Sequence, residues 1–194
     1  MLTIARILAN VWSTSSSALK VVLEAGTALI GAVTTRDSYS AAVTLTRTAD
    51  TPAAYTANDV IGAATGSTAA IEFTNMGPSG GRVIITSTSL LIRLDAVPAG
   101  MTGMRLHMYN VTPPSAYGDH VAWDLLTGDR ASYLGFVDFG TPVDMGGTLY
   151  ISRDDETKQV KLAGTSIFGY LITIGSHSPA SATVYVPTLH SIGV

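Results

Sequence analysis

From residue 41 onward the chain is written in short runs of period-two alternation, cut at intervals by clusters of Pro, Gly, Asn and Asp. No other feature limits the fold as much. A run that alternates at every second position can bury one face of a strand, but it lays no continuous stripe along a helix. Residues 41–48 (AAVTLTRT), 69–74 (AAIEFT), 82–96 (RVIITSTSLLIRLDA) and 103–111 (GMRLHMYNV) read as strands, the last with Met104, Leu106 and Met108 on one face. Further strands are expected at 132–139, 148–152, 159–162, 166–174 and 182–186. Pro98 and Gly100 between two of these runs make 82–111 read as a hairpin, and Asp154, Asp155, Glu156 and Thr157 read as a water-exposed hairpin turn. Residues 112–127 are the least strand-like part, a long loop with a helical turn. About eight to ten strands at this spacing predict an all-β chain, an antiparallel β-sandwich or jelly roll. No βαβ alternation supports a nucleotide-binding parallel sheet.

Residues 1–40 are of a different kind. Two apolar islands, 2–12 and 18–33, flank the polar run 13–17 (STSSS). The spacing of Leu2, Ile4, Leu8 and Trp12 suits a short amphipathic helix, while Gly26 and Gly31 break the second island into extended pieces. The expected organisation is therefore an extended, partly helical N-terminal arm over 1–40 and a β-sandwich body over 41–194. The arm is too short for a core of its own, so Leu2, Ile4, Leu8, Trp12, Val22, Leu29 and Ile30 are expected to pack on something else.

Composition says what that something is. Charged residues make up 13% of the 194 and apolar residues 46%, and mean hydropathy is +0.33. Soluble domains carry about 25% charge. Either a membrane or a buried intersubunit surface would explain the deficit. The longest apolar stretches, near 89–97 and 166–175, are broken by Arg93 and by glycines, and a spanning helix needs about 18 uninterrupted residues. No targeting signal is expected, since Arg6 interrupts the first apolar run and no basic segment precedes it. Buried intersubunit surface is the better account. Nucleic acid is not an expected partner: eleven scattered Lys and Arg residues in a chain of net charge −3 make no phosphate-binding stripe.

Chemistry has little to stand on in this sequence. There is no cysteine, which removes disulfides, thiol catalysis and thiolate metal sites together. His107, His120, His177 and His190 show no ligand-like spacing. The one sharp grouping is His120 with Asp119 and Asp124 in the long loop. No Gly-x-Ser-x-Gly elbow occurs, and residues 77–81 (GPSGG) lack the Gly-Lys-Ser/Thr ending of a phosphate loop. Asp138 and Asp144 could pair as an acid and a base, and Asp154, Asp155 and Glu156 lack the spacing of a calcium loop. No enzyme activity, cofactor or metal is expected. Tyr109, Tyr117, Trp123, Tyr133 and Phe136 flank the long loop, where they either cover one end of the core or form a stacking platform. On the second reading Tyr117, His120 and Trp123 face a ligand.

Four phrases carry a family resemblance. Residues 25–33 (AGTALIGAV) resemble arm segments of tailed-phage structural proteins, and 45–62 (LTRTADTPAAYTANDVIG) resemble the phrase that opens a phage virion β-domain. Residues 106–110 (LHMYN) with Pro113, Pro114 and Ser115, and residues 170–182 (YLITIGSHSPASA), are similar to later phrases of the same family. The resemblance runs through most of 25–185. It implies a bacteriophage virion protein with a jelly-roll body, of the capsid decoration, cement or head-fibre type. On that implication the chain is a homotrimer seated on the major capsid protein at the capsid surface and assembled in the host cytoplasm. A receptor- or carbohydrate-binding module of a head or tail fibre, working through the 112–127 loop, is the alternative.

Overall fold

Hydrogen-bonded ladders form where the alternation runs. The computed structural model describes residues 37–47, 54–63, 69–178 and 180–194. The arm residues Leu2, Ile4, Leu8, Trp12, Val22, Leu29 and Ile30 lie outside them. Among the described residues there are eleven strands. These are β1 (Ser38–Ala42), β2 (Leu45–Thr46), β3 (Ile71–Phe73), β4 (Arg82–Ile92), β5 (Met104–Tyr109) and β6 (Tyr133–Gly140). They continue as β7 (Val143–Asp144), β8 (Leu149–Arg153), β9 (Lys158–Lys161), β10 (Ile167–Thr173) and β11 (Val184–Gly193). No helix among them is long and apolar enough to cross a membrane.

All pairings are antiparallel and fall into two sheets. The first runs β1-β11-β4-β8-β7, with β2 continuing β1 along β11 and β9 continuing β8 along β4. The second runs β3-β10-β5-β6. Taking β1/β2 and β8/β9 as one strand each and setting the short β7 aside, eight strands remain. The first pairs the last, the second pairs the seventh, the third pairs the sixth and the fourth pairs the fifth. A long hairpin rolled over on itself gives this order, and the body, within Arg36–Val194, is a jelly roll.

The core lies between the sheets. Leu90 and Ile92 of β4, Met104, Leu106 and Met108 of β5, and Val137 and Phe139 of β6 all meet there, essentially without solvent. Each such side chain stabilises the body by about 1.5–3 kcal/mol. Along β4 the inward set changes phase, from Val83 and Ile85 to Thr88, Leu90 and Ile92. A bulge causes the shift: Ile85 faces Ser191 and Ser87 faces His190, which leaves Thr86 as the extra residue.

Two local expectations are corrected. Residues 82–96 and 103–111 do not form a hairpin, because β4 and β5 lie in different sheets. The loop 93–103 carries the chain across the sandwich, a separation of ~10 Å. Gly100 fits that loop at φ +87°, where a Cβ would stand 2.0 Å from the Ser176 carbonyl oxygen. The acidic run 154–157 is exposed apart from the half-buried Glu156, but it is not a hairpin turn either. Residues 149–153 face 92–88 and residues 158–161 face 85–82, so β8 and β9 are collinear halves of one strand. The run bows out between them, opposite the Thr86 bulge.

Candidate functional site

The two sheets present different outer faces. The second is roofed by the chain itself. Residues 58–61 continue its edge beside β10, with the Ile61 amide donating to the Leu171 carbonyl at 2.8 Å. The long loop adds a further strand-like segment: the Val60 amide donates to Val121 at 2.9 Å and the Trp123 amide to Asn58 at 2.8 Å. That places the Trp123 indole on His107 of β5, ring centroids 3.5 Å apart, while its Nε1–H donates to the Tyr109 hydroxyl at 3.1 Å. Tyr133 and His107 Nδ1 share a hydrogen bond of 2.8 Å. Tyr170 donates to the Ser115 carbonyl and Tyr117 to the Asp124 carbonyl, each at 2.6 Å, and the two rings meet edge to face. Tyr109, Tyr117, Tyr170, Val60 and Ile172 form a second apolar cluster, outside the sandwich rather than at its end.

Where this roof meets the strand ends there is a buried polar network. Asp119 is its hub. Its carboxylate accepts from the Tyr55 hydroxyl at 2.6 Å, the Gly62 amide at 2.9 Å and His120 Nδ1 at 2.7 Å, and Arg47 Nε stands 3.6 Å away. Arg47 also donates to the Tyr55 hydroxyl at 3.0 Å and faces His120 Nε2 at 3.1 Å. A carboxylate only accepts and a guanidinium only donates, so the His120 ring donates from Nδ1 and accepts at Nε2. The side chains of Arg47 and Asp119 are fully buried. His120 stacks on Tyr55 at 4.2 Å with its backbone at φ +64°, a left-handed conformation that costs a non-glycine residue about 1–2 kcal/mol and is held by this network. The network ties the end of β2 to the 54–62 and 118–123 loops. It exposes no nucleophile or free base to a substrate.

Burial sets the ionisation here. It pushes His107 down to about 4, helped by the Arg105 charge, and His177 down to about 4. Burial likewise raises the Tyr55 and Tyr109 hydroxyls well above the ordinary range. No shift of this kind is tuned to near-neutral acid–base work.

The expected site residues divide between these environments. Tyr117 is buried in the roof, His120 is held in the polar network, and Trp123 is half-buried over His107. Asp124 does not join Asp119 and His120; among the described residues no three His, Asp or Glu side chains are arranged to hold a metal ion. Asp138 is engaged by Arg105 in a two-bond pair of 2.5 and 3.0 Å, and Asp144 accepts from the Gly146 amide at 2.8 Å. Phe136 is the exposed member of the aromatic group, 43% accessible, with the Arg105 guanidinium 4.0 Å above its ring.

Among the described residues no segment covers the first sheet's outer face. Register aligns its outward side chains in rows across the strands. Val186, Leu91, Tyr150 and Val143 form an apolar row spanning β11, β4, β8 and β7. Beside it runs a row of small side chains, Ala42, Thr188, Ser89 and Ser152. The next row holds Ser40, His190 and Ser87, and beyond it stand Ser38, Ile192, Ile84 and Gln159. None of these positions carries a formal charge, though Val143 and Tyr150 are 59% and 41% exposed. Charged side chains appear at the ends: Arg93, Asp95 and Asp144 at one, Arg82 and Lys161 at the other, all exposed. Sequence reasoning missed this face and the Arg47–Tyr55–Asp119 hub. The face had a signal, since the outward positions of RVIITSTSLLI and VYVPTLHSI hold hydroxyl and apolar residues apart from Arg82 and His190. The hub had none, because its members lie in separate loops.

No protein-family model matches the chain, and no curated protein matches it either. Solved structures do align. One titled as the full particle of Israeli acute paralysis virus heated to 63 degrees aligns at 10% identity over 94% of this chain and 88% of its own, with a TM-score of 0.29. The native virion of Kashmir bee virus at neutral pH aligns at 13% identity over 79% and 70%, with a TM-score of 0.27, and a nora virus structure at 15% over 82% and 60%, with 0.22. At such TM-scores these likenesses carry no argument, and the jelly-roll assignment rests on the strand order.

Proposed function

We propose that the chain is a structural protein of a virus particle, a decoration or cement protein that binds an assembled phage capsid as a homo-oligomer. The observation that carries this reading is how the jelly-roll body uses its side chains. The architecture serves viral shells, lectins and cupin-type domains. A cupin-type centre uses the space between the sheets, and here Met, Leu, Ile and Phe fill that space. A lectin presents polar and aromatic groups at a loop end, and here Tyr109, Tyr117 and Tyr170 are buried under the roof. What the body offers to the outside is an uncharged sheet face, suited to protein contact. The phrases resembling phage virion proteins support the same reading. The apolar arm, with Leu2, Ile4, Leu8 and Trp12, is the proposed attachment to the shell protein.

The mechanism is added buried area that holds shell subunits together, with no bond made or broken. Mass spectrometry of purified particles tests it: the chain should be present in many copies per particle and stay through a density gradient. Its absence from particles, or recovery only with free host protein, would refute the proposal. Deleting residues 1–36 should release the protein from particles and leave the far-UV spectrum of the β body unchanged.

A further inference from the structure

The geometry points to the outer face of the first sheet as the surface on which a second copy of this chain docks, an inference that rests on the reading of the chain as a homo-oligomeric particle protein. Three observations on that face converge. The first is its chemistry. Solvent-facing strands normally carry Lys and Glu, which keep sheets from associating. The rows through Leu91, Ser89 and Ile84 carry none, and neither do their neighbours on β1, β8 and β11. Small hydroxyl side chains and flat apolar ones can be desolvated against their own kind, because no charge is stranded.

The second is size. Four strands spaced ~4.8 Å apart and up to ten or eleven residues long at ~3.3 Å each give a projected patch of ~650 Å². Two such patches meeting bury ~1,300 Å², within the range of specific, stable interfaces. The third is the charge at the ends. If the strands of the two copies run in opposite directions, the end bearing Arg93, Asp95 and Asp144, negative on balance, lies over the partner's end bearing Arg82 and Lys161. A centre free of Lys, Arg, Asp and Glu in its paired rows, with His190 as its titratable position and ends of opposite net charge, favours a copy of the same chain as the occupant.

The test is the mass of the full chain by sedimentation at micromolar concentration, for the parent and for Leu91→Lys, Ser89→Lys and Val111→Lys. Leu91 and Ser89 point outward, so these lysines leave the core packing untouched, and a far-UV spectrum with a thermal midpoint checks that the fold persists. The parent should sediment as an oligomer. Leu91→Lys and Ser89→Lys should associate at least about 30-fold more weakly, the effect of an unpaired charge in a desolvated contact, and approach the 20.1 kDa of one chain. Val111→Lys, exposed on the loop after β5, should behave as the parent does. An unchanged mass for both Leu91→Lys and Ser89→Lys would overturn the inference. So would a monomeric parent whose binding to particles is abolished by Leu91→Lys, which would assign the face to the shell protein and leave the particle reading standing.

Discussion

The two outer faces of one sandwich have met the same problem in opposite ways. A strand buried on its inner side still has an outer side, and that side must be solvated, covered by its own chain, or covered by something else. On the second sheet, β5 and β10 send His107, Tyr109 and Tyr170 outward, and the chain supplies Trp123 and Tyr117 to cover them. The cost is a set of buried polar groups that must satisfy one another, and Asp119 answers for several at once. On the first sheet β4 sends Leu91, Ser89 and Ile84 outward, and no described segment covers them. A face so poor in charge yet so open is built to be covered from outside. The difference locates self-sufficiency on one side of the body and contact on the other.

Asp119→Ala is the hardest blow to the covered side. It removes the carboxylate that stands beside the buried Arg47 guanidinium and strips the Tyr55 hydroxyl and the Gly62 amide of their acceptor. Stability should fall by about 3–5 kcal/mol. The midpoint of chemical unfolding measures it, and a loss under 1 kcal/mol would mean that the network is not what holds the roof.

Adjacent residues of β4 sharpen the contrast. Leu90 points into the core with no exposure, so Leu90→Ala should cost about 2–5 kcal/mol. Leu91 points out, so Leu91→Ala should change the unfolding of the dissociated chain by about 0.5 kcal/mol at most and act on self-association instead. Equal losses at the two positions would erase the distinction between inner and outer sides of the sheet.

Acid should act through the covered side. In the unfolded chain His107 and His177 take up protons near the ordinary value of 6.5, and in the folded body only near 4. Stability is therefore intact above pH 6.5 and is lost as the pH falls from 6.5 toward 4. The loss is up to about 1.4 kcal/mol per pH unit for each histidine. Unfolding midpoints at pH 7 and pH 5 should differ accordingly, and His177→Asn should flatten the dependence. The smallest effect belongs to the bare face: Ser89→Lys should shift the unfolding of the dissociated chain by no more than about 0.5 kcal/mol.

Much of this was legible in the letters. Alternation at Met104, Leu106 and Met108 marked an inner face correctly, and short strands between turn clusters led to a sandwich. The pairing was less legible, because a run, a Pro/Gly loop and another run read alike whether the chain turns back or crosses to the other sheet. The β4–β5 crossing and the interrupted β8–β9 strand are both of that kind. The phase change at Thr86 was hidden for a related reason, since a bulge inserts one residue and the alternation resumes on either side. The polar hub was not legible at all. Arg47, Tyr55 and Asp119 are brought together only once the 54–62 and 118–123 loops run side by side, and loop registry has no periodic signature. The outward hydroxyl and apolar rows were readable, but their meaning depended on knowing which strands are neighbours.

A density map of the intact particle, fine enough to trace side chains, tests the central claim most directly. The account predicts many copies of the jelly-roll body on the shell, with Leu91, Ser89 and Tyr150 buried against a second copy and the Trp123 roof standing clear of that contact. Copies confined to the tail, or a first-sheet face open to solvent while the Trp123 side makes the contact, would contradict it.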